Sequence, residues 1–274
     1  MKKWIAALLA VLVMVSLLAG CANKTEEKQD NTTKGTEAPK ETESKETEPE
    51  GTKPEGTEPE GTQGDEKVEA PVLEGVMSYA EYAAAELETE VTVACCVQAT
   101  QSWWDNKITV YAADEDGAYF LYEMACTQED AAKLVPGTMI KVTGAKGAWA
   151  GEVEIMDATF EFVDTKYTYV AEAIDLTDKM DAEDLIDYQN QLATFKGLTV
   201  KEISFKDGGG DDIYVTVTKG DKEYVFCVER YLTDPDTEVY KTASALKAGD
   251  VIDVTAYLYW YEGMNPHVTE IKAA

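Results

Sequence analysis

Leu134-Val135-Pro136-Gly137-Thr138-Met139-Ile140-Lys141-Val142-Thr143 is the stretch that decides the fold, because it returns 112 residues later as Leu246-Lys247-Ala248-Gly249-Asp250-Val251-Ile252-Asp253-Val254-Thr255. Five of the ten positions are identical without a gap. The same offset aligns Trp149 with Tyr261 and Gly151 with Gly263, so the match continues through a turn into another strand. The sequence therefore predicts one folding module used twice.

Both copies show the same order of predicted elements. In the first copy, β-branched residues at period two and turn residues predict three strands, a short helix and two more strands, at 90–99, 107–112, 118–124, 127–134, 138–145 and 152–162. The second copy predicts strands, a helix and strands at 193–203, 212–218, 222–229, 234–246, 251–259 and 267–271. A further helix precedes each copy, at 78–87, where Ser78 and Glu81 have the spacing of a capping box, and at 182–191.

Three strands, a helix and two strands are the element order of the OB-fold, a small five-stranded barrel. Over about 78–272 the pattern resembles the tandem OB-like domains of secreted lipoproteins from Gram-positive bacteria. That resemblance implies an all-β fold with short helices, in which two tandem OB-fold-like barrels occupy 71–165 and 166–274. An immunoglobulin-like sandwich is the competing architecture, but it would not place a capped helix at the same point in both halves.

The N-terminus predicts where the protein is located. Lys2 and Lys3 precede an uncharged run over 4–19, which is shorter than the roughly 20 residues that span a bilayer. The run ends in Leu18-Ala19-Gly20-Cys21, which resembles the lipobox of bacterial lipoproteins. The resemblance implies a signal peptide over 1–21, a diacylglycerol group on Cys21 and attachment to the outer face of the cell membrane. An uncleaved anchor helix is the alternative.

Residues 22–70 hold almost no aliphatic or aromatic side chain and contain a five-residue Gly-Thr-Glu-Pro-type repeat at 51–62. Such a segment buries too little apolar surface to offset its chain entropy, so we predict a disordered acidic tether. Its root-mean-square length would be roughly 35–42 Å as a flexible coil.

Charge and the shortage of catalytic residue types narrow the function. The net charge is −29, which disfavours phosphate backbones, so nucleic acid is predicted to be a poor partner. The single histidine, His267, has no evident nucleophile or base beside it, and no zinc spacing is present. We therefore predict no enzyme activity, cofactor or metal, although abundant carboxylates leave a carboxylate-based enzyme open. The sequence predicts a hairpin turn rather than a calcium-binding loop at residues 114–117. It also predicts a turn at residues 208–210.

Four cysteines follow the lipobox, and they predict mainly core packing. Cys95 and Cys96 are adjacent in a predicted strand and should point to opposite faces. A disulfide from Cys126 to either of them is the alternative, since an extracellular location permits it. Cys227 completes the set.

Loop aromatics are the most informative candidates for ligand binding. In OB-folds the loops after the first and fourth strands flank the ligand surface, and here those loops hold Trp103, Trp104, Trp149, Tyr259, Trp260 and Tyr261. The alternation of side chains predicts that only one of Trp103 and Trp104 faces inwards. The simpler alternative is that these rings cap a barrel or pack between the modules.

The function predicted from these features is a non-enzymatic, membrane-anchored surface lipoprotein that binds an extracellular glycan or peptide through its OB-like domains. The alternative is an OB-fold nucleic-acid-binding protein, or an accessory to an extracellular nuclease. That alternative would need a basic strip, for which the candidates are Lys196, Lys201, Lys206, Lys219 and Lys222.

Overall fold

The computed structural model describes residues 68–274, all of which fall within one compact unit, Gln63–Ala274. The predicted signal peptide, the Cys21 lipidation site and nearly all of the predicted tether lie outside the described residues. No helix within 68–274 is long and apolar enough to cross a lipid bilayer.

The first half of this unit is a closed barrel. Its five strands are β1 (Glu90–Thr100), β2 (Lys107–Ala113), β3 (Ala118–Ala125), β4 (Met139–Trp149) and β5 (Glu152–Phe162). They are hydrogen bonded in the order β1-β2-β3-β5-β4, and β1 pairs with β4 to close the barrel. Helix α1 (Tyr79–Ala84) precedes β1, and α2 (Gln128–Ala131) lies between β3 and β4. This is the strand order of an OB-fold.

The second half has the same topology. Its elements are β6 (Ile174–Asp175), β7 (Leu192–Phe205), β8 (Ile213–Lys219), β9 (Lys222–Val228), α3 (Glu238–Ala245), β10 (Val251–Tyr257) and β11 (His267–Ala273). The order β10-β11-β9-β8-β7 becomes a ring because β10 also pairs with β7, and β6 adds a short parallel strand beside β7. The prediction of two OB-fold barrels with short helices is confirmed.

The repeated stretch forms the same turn in both barrels. The Gly137 N–H donates to Val97 O at 2.8 Å, and the Gly249 N–H donates to Val200 O at 2.8 Å. Both glycines have positive φ, +87° and +95°, a conformation that glycine adopts without a Cβ clash. The turn fixes the start of the fourth strand of each barrel against its first strand, which explains why this stretch carries the repeat.

Alanine at these glycines should therefore destabilise the fold. At Gly249 an added Cβ would meet no neighbouring atom, so Gly249→Ala isolates the backbone strain and should lower the free energy of unfolding by about 1–2 kcal/mol. Gly137→Ala should lower it at least as much, because the added Cβ would also collide with the Thr168 hydroxyl. Urea denaturation measures both. Gly209→Ala is the control, since Gly209 has open space and no positive φ; equal stability of all three variants would contradict the explanation.

All four predicted helices differ in the structure, and α2 ends at Ala131 instead of residue 134. Helix α1 has the predicted capping box but ends at Ala84 instead of residue 87. The helix predicted over 182–191 is a 3-10 turn, Glu183–Tyr188, because Ala182 at its N-cap offers no side-chain hydrogen bond and only Leu185 is buried. The helix predicted from residue 234 begins at Glu238, because the Thr237 hydroxyl accepts the capping hydrogen bond from the Tyr240 N–H.

Each barrel encloses its own apolar core. Alternation along β1 places Cys95 in the core of the first barrel and Cys96 in a separate small cluster with Met139 and Tyr167, as predicted from their adjacency. All four cysteines of the barrels are free thiols and buried. The alternative of a disulfide to Cys126 is thus absent from the structure of residues 68–274.

Candidate functional site

The outer face of strands β2 and β3, a surface that binds ligands in OB-folds, is covered by the second barrel. Tyr111 and Phe120 point outward from the first barrel yet are 0% and 3% exposed. Both pack in a cluster with Tyr257 of β10, whose ring stacks on that of Tyr111 at 4.4 Å and 16°. An extended ligand therefore has no access to this part of the first barrel.

The contact between the two barrels around Tyr111, Phe120 and Tyr257 is called the junction below, and His267 belongs to it. No partner for it is evident from the sequence, but its Nδ1 shares a hydrogen bond of 2.5 Å with the hydroxyl of Tyr111, which lies 156 residues earlier in the chain. The Tyr259 ring stacks on the imidazole at 4.2 Å. Burial lowers the pKa of His267 to about 3, so the imidazole is neutral at physiological pH. These contacts give His267 a structural part in joining the barrels.

Three buried carboxyl groups line the junction, and sequence reasoning missed all of them. Burial raises the pKa of Glu152 to about 8, against a Trp260 N–H that donates to its Oε2 at 2.8 Å. Burial likewise raises the pKa of Glu154 to about 6 and that of Glu229 to about 7. Glu229 accepts hydrogen bonds from the backbone N–H groups of the next segment, at 2.7 and 3.0 Å. All three groups are 8% exposed or less.

An open cleft lies at one edge of the junction, and we call it the Trp104 cleft. It is a cavity of about 290 Å³, lined by Gln101, Ser102, Trp104, Lys107, Glu123 and Tyr231 among others. Trp104 is 71% exposed and Tyr231 is 53% exposed. Because Tyr231 follows β9, the second barrel supplies one ring of the cleft and the first barrel supplies the other.

A tight turn positions Trp104. Its N–H donates to Lys107 O at 3.0 Å, and the Lys107 N–H donates back to Trp104 O at 2.9 Å. The two residues between them, Asp105 and Asn106, both have positive φ, +49° and +61°, as a two-residue hairpin turn requires. The exposed indole is thus carried on a short, hydrogen-bonded turn.

Polar groups complete the cleft. The Ser102 N–H donates to Tyr231 O at 2.6 Å, which ties the first barrel to the segment after β9. On the other wall, Lys107 Nζ pairs with Glu123 at 2.6 Å. The arrangement offers aromatic faces for stacking and polar side chains for hydrogen bonds, with no net charge from the Lys107–Glu123 pair.

The remaining aromatic candidates are elsewhere. Trp103 packs against the core of the first barrel and its Nε1–H donates to Cys126 O at 2.9 Å, so only Trp104 faces outward, as predicted. Trp260 packs against the second core, and Tyr259 lies in the junction. These three rings are half-buried, which is the packing alternative that the sequence left open.

Trp149 and Tyr261, the equivalent positions of the repeat, meet at the other end of the junction. Their rings are 5.1 Å apart at 43° and are 56% and 45% exposed. The Glu262 N–H donates to Ala150 O at 2.7 Å and joins the two loops. Since this pair lies beside the start of β3 and the Trp104 turn lies beside its end, the two aromatic groups are separated by roughly 23 Å of strand.

Each of the five lysines proposed for a basic strip contacts a carboxylate or a backbone carbonyl. Four form ion pairs with carboxylates, namely Lys196–Asp175, Lys201–Glu223, Lys206–Asp212 and Lys222–Asp181. Lys219 Nζ donates to Lys196 O at 2.9 Å. The paired acids offset most of the positive charge on this side of the second barrel.

The two loops considered for ions are turns. Asp114 Oδ1 accepts hydrogen bonds from the Asp116 and Gly117 N–H groups, and its Oδ2 accepts from the Tyr119 hydroxyl. Gly208 and Gly210 have positive φ in a turn between β7 and β8. Within residues 68–274, no group of three or more His, Cys, Asp or Glu side chains is arranged to hold a metal ion.

Neither protein-family models nor curated proteins match this chain. Similar solved structures include a murine DNA-binding protein bound with double-stranded DNA (12% identity, TM-score 0.34, covering 67% of this chain and 96% of that chain). The p204 HINb domain (13%, 0.30, 66% and 95%) and a replication protein A heterotrimer bound to single-stranded DNA (8%, 0.30, 70% and 50%) are also similar. At these TM-scores the likeness carries no argument about the ligand, and the OB-fold assignment rests on the strand order itself.

Proposed function

We propose that this protein is a non-enzymatic lipoprotein attached to the outer face of the cell membrane, and that it binds an extracellular glycan or peptide in the Trp104 cleft. The observation that carries the proposal is the pair of exposed rings, Trp104 and Tyr231, facing one cavity at the edge of the barrel junction. Exposed aromatic surface of this kind is unfavourable in water unless a partner covers it.

The chemistry of the cleft favours a neutral ligand. Its ion pair, Lys107–Glu123, leaves no uncompensated charge, while Gln101 and Ser102 supply donors and acceptors. The flat faces of a sugar ring or of a peptide side chain can stack on the indole. The net charge of −29 acts against a polyanion.

Replacing Trp104 by alanine should therefore weaken ligand binding at least about tenfold, as expected for the loss of a central aromatic contact. Titration calorimetry against cell-wall glycan fragments and a peptide library would measure the effect. Trp149→Ala is the matched control, because Trp149 is also exposed but lies at the other end of β3. The proposal fails if no glycan or peptide binds the unmodified chain, or if the two variants bind equally well.

Membrane attachment is the second part of the proposal and is supported by the lipobox-like Leu18-Ala19-Gly20-Cys21 sequence. Two acyl chains on one cysteine suffice for stable anchoring. Cys21→Ser should release the protein into the medium or leave it unprocessed, and fractionation of cells with metabolic labelling by a fatty acid would detect either outcome. Fatty-acid incorporation by the Cys21→Ser chain would contradict lipidation at this residue.

Nucleic-acid binding is the second candidate function, and the OB-fold strand order supports it by analogy of fold. If it holds, single-stranded or double-stranded DNA should bind at low salt with an affinity that falls steeply as salt increases. The double substitution Lys201→Glu and Lys206→Glu should weaken that binding relative to the unmodified chain. Absence of binding at low salt would remove this candidate.

A further inference from the structure

Strand β3 contains a β-bulge in the wall of the Trp104 cleft. The pairing of β2 with β3 shifts register between Ile108 and Val110. Two residues of β3, Tyr122 and Glu123, therefore lie opposite one residue of β2, Thr109. An arrangement of two residues against one bends the strand and changes the direction of the side chains that follow, and it is frequent next to functional sites.

The bulge determines where the Glu123 side chain lies. Leu121 and Met124 both belong to the core of the first barrel. Side chains alternate along a regular strand, so without the bulge Glu123 would share the inner face with Leu121. The extra residue lets Met124 return to the core and leaves the Glu123 side chain 41% exposed in the wall of the cleft.

The backbone of Glu123 is in a conformation that is unfavourable for glutamate. Its φ is +43°, in the left-handed region that glycine adopts without a Cβ clash. The Glu123 N–H donates to Thr109 Oγ1 at 3.1 Å, and Thr109 is buried, so the strained residue is held in place. Strained residues of this kind cluster at functional sites. Since glycine would satisfy the backbone, the glutamate side chain itself requires an explanation.

Lys107 connects the Glu123 carboxylate to the turn that carries Trp104. The backbone of Lys107 exchanges two hydrogen bonds with that of Trp104, and its Nζ lies 2.6 Å from Glu123 Oε2. The Tyr122 hydroxyl donates to Glu123 Oε1 at 3.3 Å. A carboxylate has about four acceptor positions, so these two contacts leave further positions on Glu123 for a ligand.

This arrangement favours a ligand with neighbouring hydroxyl groups. The two oxygens of a carboxylate accept hydrogen bonds from two adjacent donors, which both a sugar diol and a guanidinium group offer. The Lys107 ammonium neutralises Glu123 and repels a guanidinium, so the neutral diol is the better fit. The backbone of an extended peptide is a poorer fit, because its successive N–H groups point to opposite sides. Trp104 offers a flat ring to the apolar face of the same sugar.

We propose that the Trp104 cleft binds a neutral glycan whose sugar units carry adjacent free hydroxyl groups, and that Glu123 selects this ligand by accepting hydrogen bonds from both hydroxyls. The proposal rests on the function proposed for the cleft and narrows its ligand from glycan or peptide to this class. The sugar ring stacks on Trp104, while Lys107 fixes the position of the Glu123 carboxylate.

The test is calorimetric titration of the folded chain with four separate probes. Cellotriose and mannotriose have adjacent free hydroxyl groups on every sugar unit, whereas chitotriose has an acetamido group in place of one of them. The fourth probe is an arginine tripeptide with blocked ends. Cellotriose or mannotriose should bind, and the other two probes should bind at least about tenfold more weakly, the difference expected for hydrogen bonds to a charged acceptor.

Two substitutions at Glu123 separate recognition from a structural role. Glu123→Gln should weaken binding of the preferred trisaccharide at least about tenfold. Glu123→Gly should bind no more tightly than Glu123→Gln, yet unfold at about the same urea concentration as the unmodified chain, because glycine tolerates the positive φ. A purely structural role for Glu123 would give the reverse, with unchanged binding and a lower urea midpoint.

Glu129→Gln is the matched control. Glu129 is 85% exposed on α2, pairs with Lys133 at 3.2 Å and does not line the cleft. The substitution makes the same chemical change in another glutamate–lysine pair, so binding should be unchanged.

Three results would overturn the inference: no binding of either cellotriose or mannotriose, tighter binding of chitotriose or the peptide, or equal binding by Glu123→Gln and the unmodified chain. The function proposed for the cleft is judged separately. It stands if any glycan or peptide binds and Trp104→Ala weakens that binding, even when the ligand lacks adjacent hydroxyl groups.

Discussion

Tyr111→Ala should lower the free energy of unfolding by about 3–5 kcal/mol, the range for truncating a large, fully buried aromatic side chain. Tyr111 is 0% exposed although it points away from the core of its own barrel. The substitution would remove the stack on Tyr257 and leave His267 Nδ1 without its partner. The large effect is expected only because the second barrel covers this face.

Urea denaturation at neutral pH measures the change, and Tyr122→Ala is the matched control. Tyr122 is on the next strand and is 41% exposed, so its truncation should lower the free energy of unfolding by about 1 kcal/mol or less. Tyr111→Phe should fall between the two variants, because it keeps the ring and loses the hydroxyl. A cost for Tyr111→Ala as small as that for Tyr122→Ala would mean that the face is open.

The free energy of unfolding should fall as the pH rises from 6.5 to 8, and Glu152 alone should account for about 2 kcal/mol of the decrease. Burial raises the pKa of this carboxyl from 4.5 to about 8, so the folded chain keeps a proton that the unfolded chain has released. A raised carboxyl pKa contributes stability that is fully present below pH 4.5 and is lost as pH passes through the folded value. Glu229, with a pKa of about 7, adds to the same trend.

Opposing groups define the pH window of this experiment. The pKa of His267 is lowered to about 3, so this residue makes the free energy of unfolding increase with pH up to 6.5, the ordinary pKa of histidine. Below pH 6.5 that increase offsets the decrease caused by the carboxyl groups. Glu154, with a pKa of about 6, has completed most of its change by pH 6.5. The slope between pH 6.5 and 8 therefore reports mainly Glu152 and Glu229.

Glu152→Gln tests the assignment, because glutamine can still accept the Trp260 N–H hydrogen bond but does not titrate. The variant should show a flatter slope, so its free energy of unfolding relative to that of the unmodified chain should grow by about 2 kcal/mol between pH 6.5 and pH 8. Glu161→Gln, at an exposed position of the same strand, controls for the change in net charge. An unchanged slope in Glu152→Gln would show that Glu152 is not the group responsible.

The barrels could be predicted from the sequence because their information is local. The turn at Gly137 and its copy at Gly249 repeat the same residue types, and alternating residues mark the strands around them. Helix boundaries were less predictable, since the start of α3 depends on the Thr237 hydroxyl and not on the earlier Pro235. A helix of this kind can begin at more than one nearby residue, and the packing of the folded chain determines which residue it is.

The junction could not be predicted, because its parts are distant in sequence and resemble ordinary strand residues. Tyr111 and Phe120 alternate outward like any exposed strand residue, and nothing local indicates that β10 covers them. Trp104 was identified from its loop, whereas Tyr231 was missed because it follows a strand without any repeat or motif. Glu152 and Glu154 were equally hidden, since an acidic chain offers no means of separating buried carboxyl groups from solvated ones.

Thiol labelling at Phe120 tests the central claim, that the second barrel covers the β2–β3 face of the first. In a chain with Cys21 replaced by serine, the native thiols are buried and burial raises the pKa values of Cys95, Cys126 and Cys227, so their background reaction is slow. Phe120→Cys should react with a maleimide at least about a hundredfold more slowly than Tyr122→Cys, since labelling requires the junction to open. Equal labelling rates at the two positions would contradict the claim.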